Sequence, residues 1–144
     1  SQSMREKGVR MKLSAVRSIV GGKRVVMVDD SIVRGTTSKR IVRLLKDAGA
    51  TEAHVRIASP AMPKPCHHGV DTSTEEELIS AKKSVEEVAE YIGADSLAFL
   101  STKALMASGN RKEMCMACFD GNYPTDLYQT DEDATLYKRY QIKA

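Results

Sequence analysis

Apolar and polar positions alternate along this chain with two different periods. Arg24-Val25-Val26-Met27-Val28 is a short β-branched run that stops abruptly at Asp29-Asp30, the pattern of a buried strand in a parallel sheet. Beyond a polar turn, Ile41, Leu44, Leu45 and Ala48 fall at i, i+3, i+4 and i+7. That spacing predicts a helix with one apolar face, closed by Gly49 as its C-cap. Ala53 to Ala58 repeats the strand pattern and is stopped by Ser59-Pro60, after which Pro60, Pro63 and Pro65 mark a Pro-rich loop carrying Cys66. Ser73-Thr74-Glu75-Glu76-Glu77 predicts the start of a helix, with a capping hydroxyl and acids at its positive end. Val85, Val88, Ala89 and Ile92 predict another helix, ending at Gly93. Ser96 to Leu100 reads as a third strand and Ser101 to Ser108 as a short helix.

Strands alternating with helices predict an α/β fold, a parallel sheet with flanking helices. Three strands make a thin sheet, since sheets usually hold about 5 to 6. The organisation reads as a basic arm over 1–23, a core over 24–121, and a polar tail over 122–144 with Tyr128, Tyr137 and Tyr140 as anchors. Gly8, Gly21 and Gly22 break any pattern in the arm, which reads as flexible or looped. Neither an internal repeat nor a low-complexity tract is present.

Composition narrows the class. At 144 residues the sequence supports one domain, and 42% hydrophobic with 28% charged residues is ordinary for a globular protein. No apolar run approaches the roughly 18 residues of a membrane helix, and no stretch reads as a secretory signal. Disordered, collagenous and membrane-spanning classes are excluded. The formal charge of +3 hides an asymmetry: residues 1–50 carry 12 Lys/Arg against 4 Asp/Glu, a balance of +8, leaving −5 for the remainder. A basic third of this kind points to an anionic ligand, phosphate or nucleic acid, or else to a solvated surface. The near absence of basic residues interleaved with aromatics argues against nucleic acid. Three cysteines cannot close a complete disulfide framework, so a reducing, cytoplasmic compartment is expected.

The densest chemistry lies in Asp29-Asp30-Ser31-Ile32-Val33-Arg34-Gly35-Thr36-Thr37-Ser38. A strand delivers two adjacent carboxylates to its C-terminal end, where open α/β sheets bind ligands. A glycine-containing turn rich in hydroxyls follows, and the helix starting there aims free N–H groups at the same crevice. Hydroxyls and amides suit a phosphate; paired carboxylates suit a sugar diol or Mg²⁺. A ribose 5-phosphate needs both. Taken singly, the carboxylates read as a solvated strand end and the hydroxyls as N-caps; the unbroken order favours the ligand. Neither a Walker loop nor a dinucleotide fingerprint is present.

The cysteines form a second group. Cys115-Met116-Ala117-Cys118 is a C-x-x-C, and Cys66 follows Pro65. Locally this reads as a metal clamp, a redox pair or chance; its irregular setting weakens the thioredoxin reading. Three thiolates with His67 or His68 would suit Zn²⁺, and four thiolates Zn²⁺ or an iron–sulfur cluster.

The run Val25-Val26-Met27-Val28-Asp29-Asp30-Ser31-Ile32-Val33-Arg34-Gly35-Thr36-Thr37-Ser38 resembles the phosphoribosylpyrophosphate loop of type I phosphoribosyltransferases. In its full form it resembles that of the glutamine phosphoribosylpyrophosphate amidotransferases of purine synthesis. The likeness extends through Gly8 to Ser14, Ile92 to Leu97 and Gly121 to Thr125. The resemblance implies that Asp29 and Asp30 hold the ribose hydroxyls and the substrate's Mg²⁺. It implies that Ser31 to Ser38 hold the 5-phosphate, chiefly through Gly35, Thr36, Thr37 and Ser38. Lys12 falls in a segment similar to the family's mobile loop, where a lysine reaches the pyrophosphate; the plain alternative is a solvated lysine. Arg34 either adds charge near the phosphate or points to solvent. The family's reaction is attack of ammonia on ribose C1 as pyrophosphate departs, which asks for positioning and charge stabilisation rather than a strong base.

Cys66, Cys115 and Cys118 match three of the four cysteines that hold a [4Fe–4S] cluster in the Bacillus-like class, the fourth falling upstream of residue 1. His67 matches no ligand of that class and reads as an ordinary loop histidine. The resemblance further implies a sheet incomplete on its N-terminal side, a glutaminase domain as partner outside this sequence, and little or no activity of these 144 residues alone, glutamine hydrolysis included. An open sheet edge implies a homo-oligomer. Another type I phosphoribosyltransferase, or a regulator binding the same ligand, is the alternative. A non-enzymatic metal- or nucleic-acid-binding module is the more distant one.

Overall fold

The computed structural model describes residues 14–70, 72, 74–109 and 114–125. Its centre is a parallel sheet of β1 (Arg24–Asp29), β2 (Glu52–Ile57) and β3 (Ser96–Phe99), in spatial order β1-β2-β3. Arg24 pairs with Glu52 at one end of the β1–β2 ladder and Asp29 with Ile57 at the other. The strands start within one residue of their predicted positions and end one residue from them.

Helix α1 (Arg17–Val20) is a single turn ahead of β1, and α2 (Thr36–Asp47) makes the crossover to β2. The path from β2 to β3 runs through a 3₁₀ turn at Glu75–Glu77, α3 (Ile79–Lys82) and α4 (Val85–Ile92). After β3 come α5 (Thr102–Ser108) and α6 (Ala117–Asp120). Helix α4 ends as glycine placement predicts, at Gly93 with φ 76°, whereas α2 is capped by Ala48, with Gly49 in the left-handed region just beyond. The C-cap of α2 is therefore one residue earlier than the sequence reading placed it. Ser84 and Glu87 form a reciprocal capping box at the start of α4.

Burial is one-sided. Val42 of α2 and Val88 and Ile92 of α4 pack on Ala53, Val55, Ile57 and Phe99 of the sheet. On the opposite face of β1, Val26 and Val28 are 60% and 72% exposed. The apolar run of β1 is thus covered on one face only among the described residues, where the sequence reading expected a buried strand. That open face carries a polar lattice: Arg24 donates to Glu52, His54 bridges Glu52 and Ser96, and Arg56 donates to Ser96. The Arg24 hydrogen bond, with help from His54, holds the Glu52 carboxyl below its ordinary range.

Three further differences have local causes. The acids after Thr74 start no long helix; Leu78, fully buried, takes an extended conformation and ends the 3₁₀ turn. Its Thr74 cap makes no side-chain hydrogen bond. Within the segment read as an arm, Val20 is buried against Ala48 and Ala50, which holds α1 on the body. Tyr123, in the stretch read as polar tail, is 4% exposed and donates its hydroxyl to the Pro65 carbonyl. Tyr128, Tyr137 and Tyr140 lie outside the described residues.

Asp95 ties the sheet together. Its Oδ2 accepts from Lys46 Nζ and from the Ala53 N–H at 2.6 Å, and these bonds hold the carboxyl below its ordinary value. The ionised form is therefore favoured by folding: its contribution is complete above the ordinary aspartate pKa and disappears as pH falls through the lowered one. Asp95→Asn is expected to lower the urea midpoint at pH 7, and the gap from the parent should close on acidification. A gap that stays constant with pH would contradict this.

Candidate functional site

β1 ends at Asp29, and the chain turns out of the sheet into the loop that precedes α2. The turn builds itself from its own acids. Asp29 Oδ1 accepts the Asp30 N–H at 3.0 Å, and Asp30 Oδ1 accepts the Ser31 N–H at 2.8 Å. The Asp29 carbonyl accepts the Ala58 N–H from the end of β2. Both carboxylates thus stand at the C-terminal edge of the sheet, Asp30 exposed and Asp29 half-buried.

Ile32 is a core residue, its side chain buried in the apolar cluster under the sheet. Gly35 is the hinge into α2. Its φ of 73° lies in the left-handed region, and an added Cβ would sit 3.0 Å from Ile79 Cδ1 and 3.2 Å from Tyr91 Cε1. Both backbone and space require glycine here. Gly35 also occupies the N-cap of the 12-residue α2, with no side chain capping the first-turn amides and no acid in that turn. Thr36 and Thr37 are exposed while Ser38 is buried. The arrangement is an uncapped helix start, chemically able to accept an anion, a short loop after two carboxylates at the sheet edge.

Arg34 is exposed and reaches back across the loop to an acid. Its guanidinium pairs with Glu77 Oε2 at 2.5 Å, so its charge is engaged on the flank of the loop. The same flank carries a groove of about 380 Å³ lined by Arg34, Glu77, Ile79, Lys82 and Tyr91, with neither Asp29 nor Asp30 in its lining. The Ile79 N–H donates to the Val33 carbonyl at 2.9 Å, and Lys39 Nζ lies 4.3 Å over the Tyr91 ring. Sequence reading missed Glu77, Ile79 and Tyr91, all of which hold the loop from behind. Lys12 lies outside the described residues.

As donors, Asp29 and Asp30 suit Mg²⁺, a hard cation commonly held by one or two carboxylates with the rest of its shell from water and substrate phosphate. No group of three or more His, Cys, Asp or Glu side chains disposed to enclose a metal occurs among the described residues.

The cysteines are gathered from two segments. The Lys64 N–H donates to the Cys118 carbonyl at 3.2 Å, and the His68 N–H lies 3.4 Å from Cys66 Sγ. His67 packs against Tyr123 with ring centroids 5.0 Å apart. Burial pushes the Cys118 thiol up to about 11, and the neighbouring Cys66 and Cys115 sulfurs add to the shift. All three cysteines are free thiols, and Cys66 and Cys115 each lie within electrostatic reach of Cys118. Three sulfurs do not complete the four-thiolate set of a cubane cluster, and they are not arranged as a metal group here.

No protein-family model matches the chain. Amidophosphoribosyltransferase of Bacillus subtilis is 61% identical over 135 residues, covering 90% of this chain and 28% of that protein. Its counterpart in Staphylococcus aureus is 54% identical, covering 99% and 30%, and the chloroplastic amidophosphoribosyltransferase 1 of Arabidopsis thaliana 59%, covering 86% and 22%. These relatives are phosphoribosyltransferases. A solved structure of glutamine phosphoribosylpyrophosphate amidotransferase from B. subtilis, complexed with ADP and GMP, superposes with a TM-score of 0.78 at 61% identity, over 90% of this chain and 30% of that one. A structure described as the allosteric regulatory enzyme of purine biosynthesis gives the same score at 54% identity, over 99% and 31%. The chain spans about three-tenths of the length of these two bacterial relatives. No helix among the described residues is long and apolar enough to cross a membrane. By sequence and by fold, this chain is homologous to the C-terminal portion of amidophosphoribosyltransferase, an enzyme of de novo purine synthesis.

Proposed function

We propose that the crevice at the end of β1 binds phosphoribosylpyrophosphate, and that the chain serves as the phosphoribosyl-binding part of an amidophosphoribosyltransferase. The observation that carries this reading is the left-handed Gly35 at the uncapped start of α2, immediately after two carboxylates at the sheet edge. The first-turn amides and the hydroxyls of Thr36, Thr37 and Ser38 hold the 5-phosphate, with Ser31 to Val33 shaping the loop. Asp29 and Asp30 take the ribose hydroxyls. They also supply the protein's share of ligands to Mg²⁺, which when bound neutralises the charge of the departing pyrophosphate. With the sugar fixed at both ends, C1 is presented in one orientation to an incoming ammonia, and no general base is needed. Lys12 is assigned to the pyrophosphate.

Cys66, Cys115 and Cys118, though not gathered into a metal group in this structure, are assigned as three of the four thiolate ligands of a [4Fe–4S] cluster away from the reacting atoms; the Lys64–Cys118 backbone bond, which joins the two segments that carry them, supports this. A glutaminase domain is the expected partner. β1 lies at the sheet edge with Val26 and Val28 exposed, which favours self-association. Sedimentation should therefore shift to larger species with concentration, and a monomer at every concentration would count against a homo-oligomer.

Titration calorimetry with phosphoribosylpyrophosphate, with and without Mg²⁺, tests the main reading. Binding should require Mg²⁺ and fall by at least about tenfold in Asp29→Asn/Asp30→Asn, the loss of two charge-assisted hydrogen bonds. Binding indifferent to both would overturn the assignment.

A further inference from the structure

The phosphate loop and the cysteine segments are far apart in sequence, yet the 3₁₀ turn Glu75–Glu77 grips both. At one end Glu77 pairs with Arg34, and two residues later the Ile79 N–H holds the Val33 carbonyl while its side chain walls Gly35. At the other end Glu75 Oε1 accepts from Lys64 Nζ at 2.9 Å. Lys64 is only 5% exposed, and its own N–H donates to the Cys118 carbonyl. The turn is three residues long and is followed by the fully buried Leu78, which anchors the short backbone that carries both carboxylates.

The two ends differ in strength. Arg34 and Glu77 are both substantially exposed, and such a pair contributes little by itself. Lys64 is buried and Glu75 is one of its partners, so breaking that pair costs more than breaking the exposed one. The Lys64 end therefore fixes the turn, and the turn fixes the loop through Val33, Gly35 and Arg34.

We propose that Lys64 is a positioning residue for the phosphate loop, acting through Glu75 and the Glu75–Glu77 turn, so that ligand binding at Thr36–Ser38 and the order of the cysteine-bearing segment around Lys64 and Cys66 are coupled. This rests on the phosphate reading of the loop. By linkage, the coupling is reciprocal: whatever tightens one segment tightens the other.

Amide hydrogen exchange of the chain, with and without phosphoribosylpyrophosphate and Mg²⁺, reads it. In the parent, ligand should slow exchange at Thr36–Ser38 and also at the amides of Lys64 and Cys66. Lys64→Met, which removes the charge but keeps the apolar stem, should leave the first protection in place and abolish the second. It should also weaken binding about fivefold. Protection at Thr36–Ser38 without any change at 64 and 66 in the parent would overturn the coupling while sparing the binding site. So would an undiminished response in Lys64→Met. Absence of protection at Thr36–Ser38 would overturn the site itself, and this proposal with it.

Discussion

Gly35→Ala is expected to weaken phosphoribosylpyrophosphate binding by about tenfold or more, whereas Gly93→Ala leaves it unchanged. Both glycines sit in the left-handed region, Gly35 with φ 73° and Gly93 with φ 76°. A Cβ in that conformation costs about 1–2 kcal/mol at either position. Their surroundings separate them. Nothing lies within 4 Å of a Cβ at Gly93, but at Gly35 it would press on Ile79 Cδ1 and the Tyr91 ring. Ile79 and Tyr91 both pack with the core, so relief must come from the loop, which would move off the first turn of α2. Displacing the turn from the phosphate position loses hydrogen bonds to a charged group, and each factor of ten in affinity is only about 1.4 kcal/mol. Gly93→Ala, at the far end of α4, serves as the control for the backbone term alone. Equal loss of binding in the two variants would show that Gly35 acts through overall stability rather than loop shape.

The second large effect concerns Lys64. Glu75→Gln is expected to destabilise the chain by about 2 kcal/mol, less than the full value for breaking a buried pair because Glu75 is itself half-exposed and is not the sole partner of Lys64. Lys64→Met should cost less, about 1 kcal/mol or below, since it leaves no buried charge behind. The order of the two is the diagnostic feature: the smaller chemical change produces the larger loss. Urea denaturation of both variants measures it, and the reverse order would show that the stem of Lys64, not its pairing, holds the segment.

Much of this was legible in the residues. The strand stopping at Asp29-Asp30, the hydroxyl-rich turn and a helix after it follow from local pattern, because each depends on neighbours in sequence; Thr36 to Ser38, which read as part of that turn, already form the first turn of α2. Gly35 carries its own signal, as the residue able to take a left-handed hinge without strain. What pattern does not convey is which side chains face that hinge. Ile79 and Tyr91 lie 44 and 56 residues further on, and their spacing marks only helical apolar positions. Glu75 and Glu77 read naturally as helix-start acids, but the burial of Leu78 overrides that preference and frees them to pair with Lys64 and Arg34. Lys64, between two prolines, offers no sequence sign of its burial. The exposure of Val26 and Val28 was equally invisible, since an apolar β-branched run reads alike whether one face or both are covered.

Backbone amide shifts measured during titration with phosphoribosylpyrophosphate and Mg²⁺ test most directly whether the phosphate sits at the start of α2. The largest changes should fall on Gly35, Thr36, Thr37 and Ser38, with smaller ones at Asp29 and Asp30, and all should vanish in Asp29→Asn/Asp30→Asn. Changes confined to other basic surface residues, or spread evenly and surviving that double substitution, would contradict the assignment.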